Sequence, residues 1–170
     1  MGFAGTLMKL GRTSHTISVL VENRSGVLAR VSALFSRRGY NIEGLSVGPT
    51  QDPEISRITI VVSVEGHALD QVIQQLDKLV NVITIEEMHE SSSVQIELLL
   101  VRVSVTAGNQ EQLRTLVAQH GAKVAEMAPD SAIISLTDTS AKIEALISDL
   151  NPFGILELTQ SGLVAMRRTI

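Results

Sequence analysis

Apolar residues in this chain follow two periodicities that alternate in a fixed order, and the order occurs twice. Ile17, Val19 and Val21 alternate with Thr16 and Ser18 from His15 to Glu22, the pattern of a half-buried strand. Val27, Val31, Leu34 and Phe35 then share one helical face up to about Arg38, and Gly39 stands where a helix commonly ends. Tyr40 to Val47 reads as a second strand. Gly48-Pro49-Thr50-Gln51-Asp52-Pro53 reads as a loop, because prolines do not sit inside a centrally paired strand. Ile58, Ile60, Val62 and Val64 alternate along a third strand. After Glu65-Gly66, a second helix carries the stripe Leu69, Val72, Ile73 and Leu76, and Val80 to Glu87 is a fourth strand. The order is βαββαβ.

Polar Glu90-Ser91-Ser92-Ser93 marks a linker, and the order then recurs. Leu99, Val101, Val103 and Val105 alternate in a strand. A helix with Leu113, Leu116, Val117 and His120 closes at Gly121. Lys123 to Met127 and Ser131 to Leu136 form a hairpin around Pro129-Asp130. Ile143, Leu146, Ile147 and Leu150 stripe a further helix that Asn151-Pro152 stops, with strands expected at Ile155–Leu158 and Leu163–Met166. The expected fold class is α+β, two tandem ferredoxin-like βαββαβ units. The expected domains are 15–88 and 95–170, with a linker at 89–94 and an N-terminal extension at 1–14. Leu20 and Val61 lie on the strand faces opposite the main apolar set, and we expect another copy of the chain to cover them.

Composition narrows what such a chain does. Of 170 residues, 44% are hydrophobic but only 2% aromatic, so the core is built from Val, Ile, Leu and Ala. The third strand, Arg57-Ile58-Thr59-Ile60-Val61-Val62, lacks the aromatics on which RNA-recognition sheets stack bases. The formal net charge of −4, without a basic stripe, argues against nucleic acid. No cysteine is present, which removes disulfides, thiolate clusters and Cys-X-X-Cys redox chemistry. No apolar run approaches a membrane span, and the start of the chain has no signal-peptide cleavage pattern, so no membrane association and a cytoplasmic location are expected. Met1-Gly2-Phe3-Ala4-Gly5-Thr6 formally fits an acylation pattern, but no basic cluster or second lipid signal supports it.

No catalytic constellation and no metal site is legible. His15, His67, His89 and His120 have no helical metal-pair spacing and read as surface or helix-end residues. Glu86-Glu87 reads as a solvated pair at a strand end. One segment is suited to a ligand: Glu22-Asn23-Arg24-Ser25-Gly26-Val27-Leu28, joining the first strand to the first helix. A helix N-terminus offers unpaired N–H groups and partial positive charge, which suit a carboxylate. Gly26 permits close approach of a ligand to the backbone. Asn23 both donates and accepts hydrogen bonds, and Val27 and Leu28 are able to line an aliphatic pocket. Asn41 and Ile42, just after the helix, offer a second polar–apolar pair. Spacing alone favours the plainer reading, a turn capped by Ser25.

The same residues carry a resemblance. Val21-Glu22-Asn23-Arg24-Ser25-Gly26-Val27-Leu28-Ala29-Arg30-Val31 and Leu34-Phe35-Ser36-Arg37-Arg38-Gly39-Tyr40-Asn41-Ile42-Glu43-Gly44-Leu45 resemble the ACT domain. Together with Val47-Gly48-Pro49-Thr50, Ser56-Arg57-Ile58-Thr59-Ile60 and Gln75-Leu76-Asp77-Lys78-Leu79-Val80, they resemble the small-subunit family of acetolactate synthase. Leu99-Leu100-Val101-Arg102-Val103 and Gln160-Ser161-Gly162 resemble that family's C-terminal domain. The resemblance implies a non-catalytic regulatory subunit of branched-chain amino acid biosynthesis. It implies a homodimer of ACT domains with valine, or leucine or isoleucine in its place, between the copies. Asn23, Ser25, Gly26, Val27 and Leu28 would come from one copy, with Asn41 and Ile42 from the other. Thiamine diphosphate, FAD and Mg are implied for the catalytic large subunit and no cofactor for this chain. The alternative is a stand-alone ACT-type amino-acid-binding regulator of another metabolic enzyme.

Overall fold

The structure is a computed structural model and describes residues 13–64 and 68–169. The expected extension at 1–14 lies outside these residues except for its last two, which belong to the first strand. His67, the Glu65-Gly66 turn and the N-terminal acylation pattern also lie outside. Contacts divide the chain into two units, residues up to 94 together with 162–170, and residues 95–161.

The first unit contains β1 (Thr13–Glu22), α1 (Val27–Arg37), β2 (Ile42–Pro49), β3 (Ile55–Val64), α2 (Ala68–Leu76) and β4 (Val82–Glu87). Its sheet runs β2-β3-β1-β4, all pairs antiparallel. Successive side chains in a strand point to opposite faces. Ile17, Val19 and Val21 of β1 and Ile58, Ile60, Val62 and Val64 of β3 therefore face one way. There they bury against Val27, Val31, Leu34 and Phe35 of α1 and Leu69, Val72 and Leu76 of α2. Gly39, with φ 70°, closes α1 as the sequence implies.

The second unit repeats this layout with β5 (Ser93–Ser104, whose first two residues belong to the first unit), α3 (Gln110–Gln119), β6 (Lys123–Met127), β7 (Ser131–Asp138), α4 (Ser140–Leu150) and β8 (Ile155–Gln160). Its strands run β6-β7-β5-β8. Leu99, Val101, Val103, Leu113, Ile134, Ile143, Leu146 and Leu150 build a separate aliphatic core. At the start of α4, the buried carboxylate of Glu97 accepts hydrogen bonds from Ser140 Oγ and, at 2.5 Å, from Gln160 Nε2. The expected α+β class with two ferredoxin-like units holds.

Three expectations need correction. Pro49 is not in the loop; it is the last residue of β2, paired with Ser56. An edge strand tolerates a proline whose missing N–H faces outward. Glu86 and Glu87 are not simply solvated: Glu87 lies 2.7 Å from His15 Nδ1 and 3.9 Å from His89 Nε2, and Glu86 pairs with Arg167. The third concerns Val61, next to which the last strand, β9 (Val164–Arg167), groups by contacts with the residues up to 94. Its neighbours supply the reason. Leu163 and Ala165 bury with Met88 against Val61, on the sheet face away from the helices, and the Arg168 N–H donates to the Ser92 carbonyl at 2.9 Å. Val61, expected to be covered by another copy, is covered by this chain's own C-terminal segment.

Replacing the fully buried Phe35 with Ala should cost about 3–5 kcal/mol, through lost transfer energy and the cavity left behind. Urea unfolding of the variant checks this. In the second unit, the Lys142 ammonium bonded to Asp138 at 2.9 Å, with the Thr139 N–H at 2.8 Å, holds the Asp138 carboxyl below its ordinary value. A lowered folded-state value means that this contribution is present above the ordinary carboxylate range and is lost as pH falls through the lowered midpoint. Lys142→Ala should move the Asp138 midpoint upward in a carbon-detected NMR titration; an unmoved midpoint refutes the attribution.

Candidate functional site

The turn from β1 into α1 is built by glycine geometry rather than by a side-chain cap. Gly26 is the N-cap residue with φ 82° and ψ −5°, and no side chain caps the helix. Ser25 is exposed and makes no cap bond, so its expected role as a cap is corrected. The left-handed turn at Gly26 brings the chain into α1 without the extended residue from which a serine cap would reach back. The Val27 N–H points back to the Arg24 carbonyl at 3.3 Å. Unpaired donors then fall to the N–H groups of Leu28 and Ala29, by the rule that a helix's first turn lacks internal partners. Val27 itself is buried in the core, whereas Leu28 is exposed beside the turn. An aliphatic surface for a ligand is therefore offered here by Leu28 and not by the side chain of Val27.

Asn23 is exposed, and much of its capacity is already used. Its backbone N–H donates to the Glu54 carbonyl at 2.7 Å, and its Nδ2 donates to the Pro53 carbonyl at 2.8 Å. These bonds fasten the β2–β3 loop to the end of β1; the carboxamide oxygen is not used by them. The loop has its own order, with the Asp52 N–H donating to Thr50 Oγ1 and the Glu54 N–H donating to Asp52 Oδ1. A second chain of bonds anchors the helix start. Arg30 donates to Asn81 Oδ1 at 2.7 Å, and Asn81 Nδ2 donates to Glu22 at 2.6 Å. Neither Pro53 nor Asn81 was singled out from the sequence, because both act through partners 30 or more residues away.

Asn41 is exposed and immediately precedes β2, and Ile42 is half-buried against the core. The register of β2 slips between Ile42, paired with Val62, and Gly44, paired with Val61, so Glu43 is bulged. Bulges re-aim side chains near functional sites. The glycine at 44, inside an otherwise strand-like run, is the sequence signal that marks this one.

The two halves of the predicted site do not meet within one chain. Glu22 pairs with Ile55, and Ile42 pairs with Val62. Seven residues of β3 separate those rows, about 23 Å at roughly 3.3 Å per residue. The structure thus brings Asn23, Ser25, Gly26, Val27 and Leu28 together at one end of the sheet, and Asn41 and Ile42 together at the other. Elsewhere, a hollow of about 140 Å³ lies on the second sheet, lined by Leu100, Val101, Arg102, Ile133, Glu157 and Thr159. Arg102 and Glu157 face each other there at 3.8 Å, so its charges are already matched to one another. Among the described residues, no group of three His, Asp or Glu side chains is arranged to hold a metal ion.

Known proteins resemble both halves of the chain. Residues 17–84 match the model of the AHAS small subunit-like ACT domain, and residues 96–169 match that of the small subunit of acetolactate synthase. The chain is 49% identical over 161 residues to the acetolactate synthase small subunit of Mycolicibacterium smegmatis, covering 95% of each. It is 45% identical over 154 residues to the probable acetolactate synthase small subunit of Archaeoglobus fulgidus, covering 91% of this chain and 96% of that one. The crystal structure of the acetolactate synthase small subunit from Thermotoga maritima superposes with a TM-score of 0.85 at 31% identity, covering 93% of this chain and 99% of the other.

At Gly26 a Cβ would meet no atom within 4 Å, so a side chain there strains only the backbone. Gly26→Ala should therefore destabilise the protein by about 1–2 kcal/mol, the cost of a left-handed residue, and Gly26→Asn by less. Paired urea-unfolding curves check the order; equal stability of the Ala variant and the wild type would contradict it.

Proposed function

The chain belongs to the small-subunit family of acetolactate synthase, and from that premise we propose that it is the regulatory partner of a catalytic large subunit, which it activates and which it makes sensitive to valine. The observation that carries the reading is the separation of Asn23 from Asn41 along one sheet. A site that uses both requires two copies. β2 lies at the sheet edge and runs parallel to β1, since both are antiparallel to β3. In a two-fold dimer pairing β2 with its counterpart, the strands run in opposite directions. The start of β2 in one copy then lies at the end of the sheet where Asn23 of the partner subunit stands.

In this reading the effector's carboxylate takes the N–H groups at the start of α1. Its ammonium takes carboxamide oxygens, and its aliphatic side chain rests between Leu28 of one copy and Ile42 of the other. The exposed, one-sided geometry of each half supports this, because neither half encloses a ligand alone. Inhibition follows if valine binds more tightly to a dimer state that activates less, since an effector shifts an equilibrium only by its differential affinity. Thiamine diphosphate, FAD and Mg are assigned to the large subunit. We place the complex in the cytoplasm; no described helix is long and apolar enough to cross a membrane. The matches to both halves leave the stand-alone regulator without a supporting observation.

Reconstitution with the large subunit, titrated with valine, leucine and isoleucine, tests the assignment. Asn41→Ala removes a hydrogen bond to a charged group, worth about 1.5–3 kcal/mol. The half-inhibitory valine concentration should rise by roughly 10- to 100-fold, with stimulation of the large subunit retained. Inhibition persisting at the wild-type valine concentration would show that Asn41 is not in the site.

A further inference from the structure

Gly162 stands in the Gln160-Ser161-Gly162 motif, to which the effector site assigns no role. A Cβ at this position would fall inside the contact distance of the Leu45 carbonyl oxygen and 2.7 Å from Ser46 Oγ. Real Cβ atoms do not approach a backbone carbonyl so closely, and a carbonyl inside a paired strand has no freedom to move aside. Glycine is therefore required by a crossing of two backbones. The crossing lies on the sheet face away from the helices, because Ser46 is paired with Thr59, whose neighbours Ile58 and Ile60 face the helices.

Beyond the crossing, the segment stays on this face. Leu163 and Ala165 are buried with Met88 against Val61. Arg167 pairs with Glu86 of β4, and the Arg168 N–H donates to the Ser92 carbonyl. The segment thus presses on β2 at one side of the sheet and is fastened to β4 and the following turn at the other. β2 is an edge strand, with β3 as its neighbour on one side. Its start, Asn41 and Ile42, is separated from the Leu45–Ser46 crossing only by the bulge at Glu43 and by Gly44. Gly44 itself rests on Val61, with Val61 Cγ2 3.4 Å from where its Cβ would lie, and Val61 is the residue that Leu163 and Ala165 cover.

We propose that residues 162–169 form a strap that sets the position of β2, and that Gly162 is a positioning residue for the effector half-site at Asn41 and Ile42. The proposal rests on the reading above that this half-site binds a branched-chain amino acid. The strap acts on the height and curvature of the strand that presents Asn41, and touches no ligand itself. A loosened strap leaves the chemical groups of the site intact and degrades their alignment.

The test uses the full-length chain, alone and reconstituted with the large subunit. In Gly162→Ala, amide hydrogen exchange over 43–48 should accelerate at least tenfold, and valine affinity by calorimetry should fall at least tenfold, while stimulation of the large subunit is retained. Should that variant fail to fold, Arg167→Ala removes an ion pair whose Arg167 side is exposed and whose Glu86 side is half-buried, of a kind that contributes little to stability. It should weaken valine binding severalfold with an unchanged urea midpoint, and Arg167→Lys should restore binding. A purely structural role would move the midpoint and not the affinity. Unchanged exchange over 43–48 in Gly162→Ala, or unchanged valine affinity in both variants, overturns the proposal. If the wild type binds none of the three branched-chain amino acids, the effector reading falls, and the exchange measurement still decides whether the strap holds β2.

Discussion

Ten consecutive residue pairs between β1 and β3, from Thr13↔Val64 to Glu22↔Ile55, fix the register on which the first unit depends. Both strands are central, and both of their faces are covered along part of their length. A slip by one residue would exchange Ile17, Val19, Val21, Ile58, Ile60 and Val62 for Thr16, Ser18, Leu20, Arg57, Thr59 and Val61. The helix side would then bury hydroxyls and a guanidinium, while the strap would meet isoleucines. The native register also satisfies the polar set, since Arg57 donates to the buried Ser18 Oγ at 2.6 Å. The ends of this ladder decide where the site residues fall. Asn23 begins where the pairing stops, and Asn41 stands beside the opposite end of β3.

The elements themselves were legible because their signals are local. Alternation within eight residues and a helical stripe within eleven located the strands and helices of both units, most boundaries falling within two residues; β3 and β5 begin earlier, at Ile55 and at Ser93, the latter inside the stretch that reads as a linker. What was not legible depends on distant partners. Pro49 was read as a loop residue because the sequence alone does not reveal that β2 is an edge. Ser25 was read as a cap because serine favours caps, while the structure uses the left-handed Gly26 instead. Val61 was read as a surface needing another copy because the pattern shows that a residue faces away from the helices, but not that a segment a hundred residues later covers it. The candidate site followed the same division. Its two loops were found by residue type, but the bracing of Asn23 by Pro53 and the tie from Arg30 through Asn81 to Glu22 appear only in three dimensions.

The second unit carries the equivalent turn with different internal bonding. Its turn into α3, Thr106-Ala107-Gly108-Asn109, occupies the equivalent place in the same topology. There Asn109 accepts from the Thr106 N–H at 2.7 Å and closes the turn on itself. Its glycine is not among those with positive φ. In the first unit Gly26 holds the place that Asn109 holds in the second, and Asn23, four residues before the helix, donates instead to the Pro53 carbonyl of the neighbouring loop; neither helix start carries a side-chain cap. One topology thus carries two differently bonded turns into its first helix, one closed on itself and one tied to the β2–β3 loop.

The shape of β2 also limits how this protein can associate. Its outer edge is regular only between the bulge at Glu43 and the proline at 49, a stretch of a few residues. A longer, flatter edge would template strand after strand, the route to fibrils. This one offers room for a single short neighbour, and a two-fold arrangement spends both edges at once. The irregularities at the two ends of β2 therefore act as a stop on growth, letting an exposed sheet edge exist in a crowded cell without recruiting strands indiscriminately.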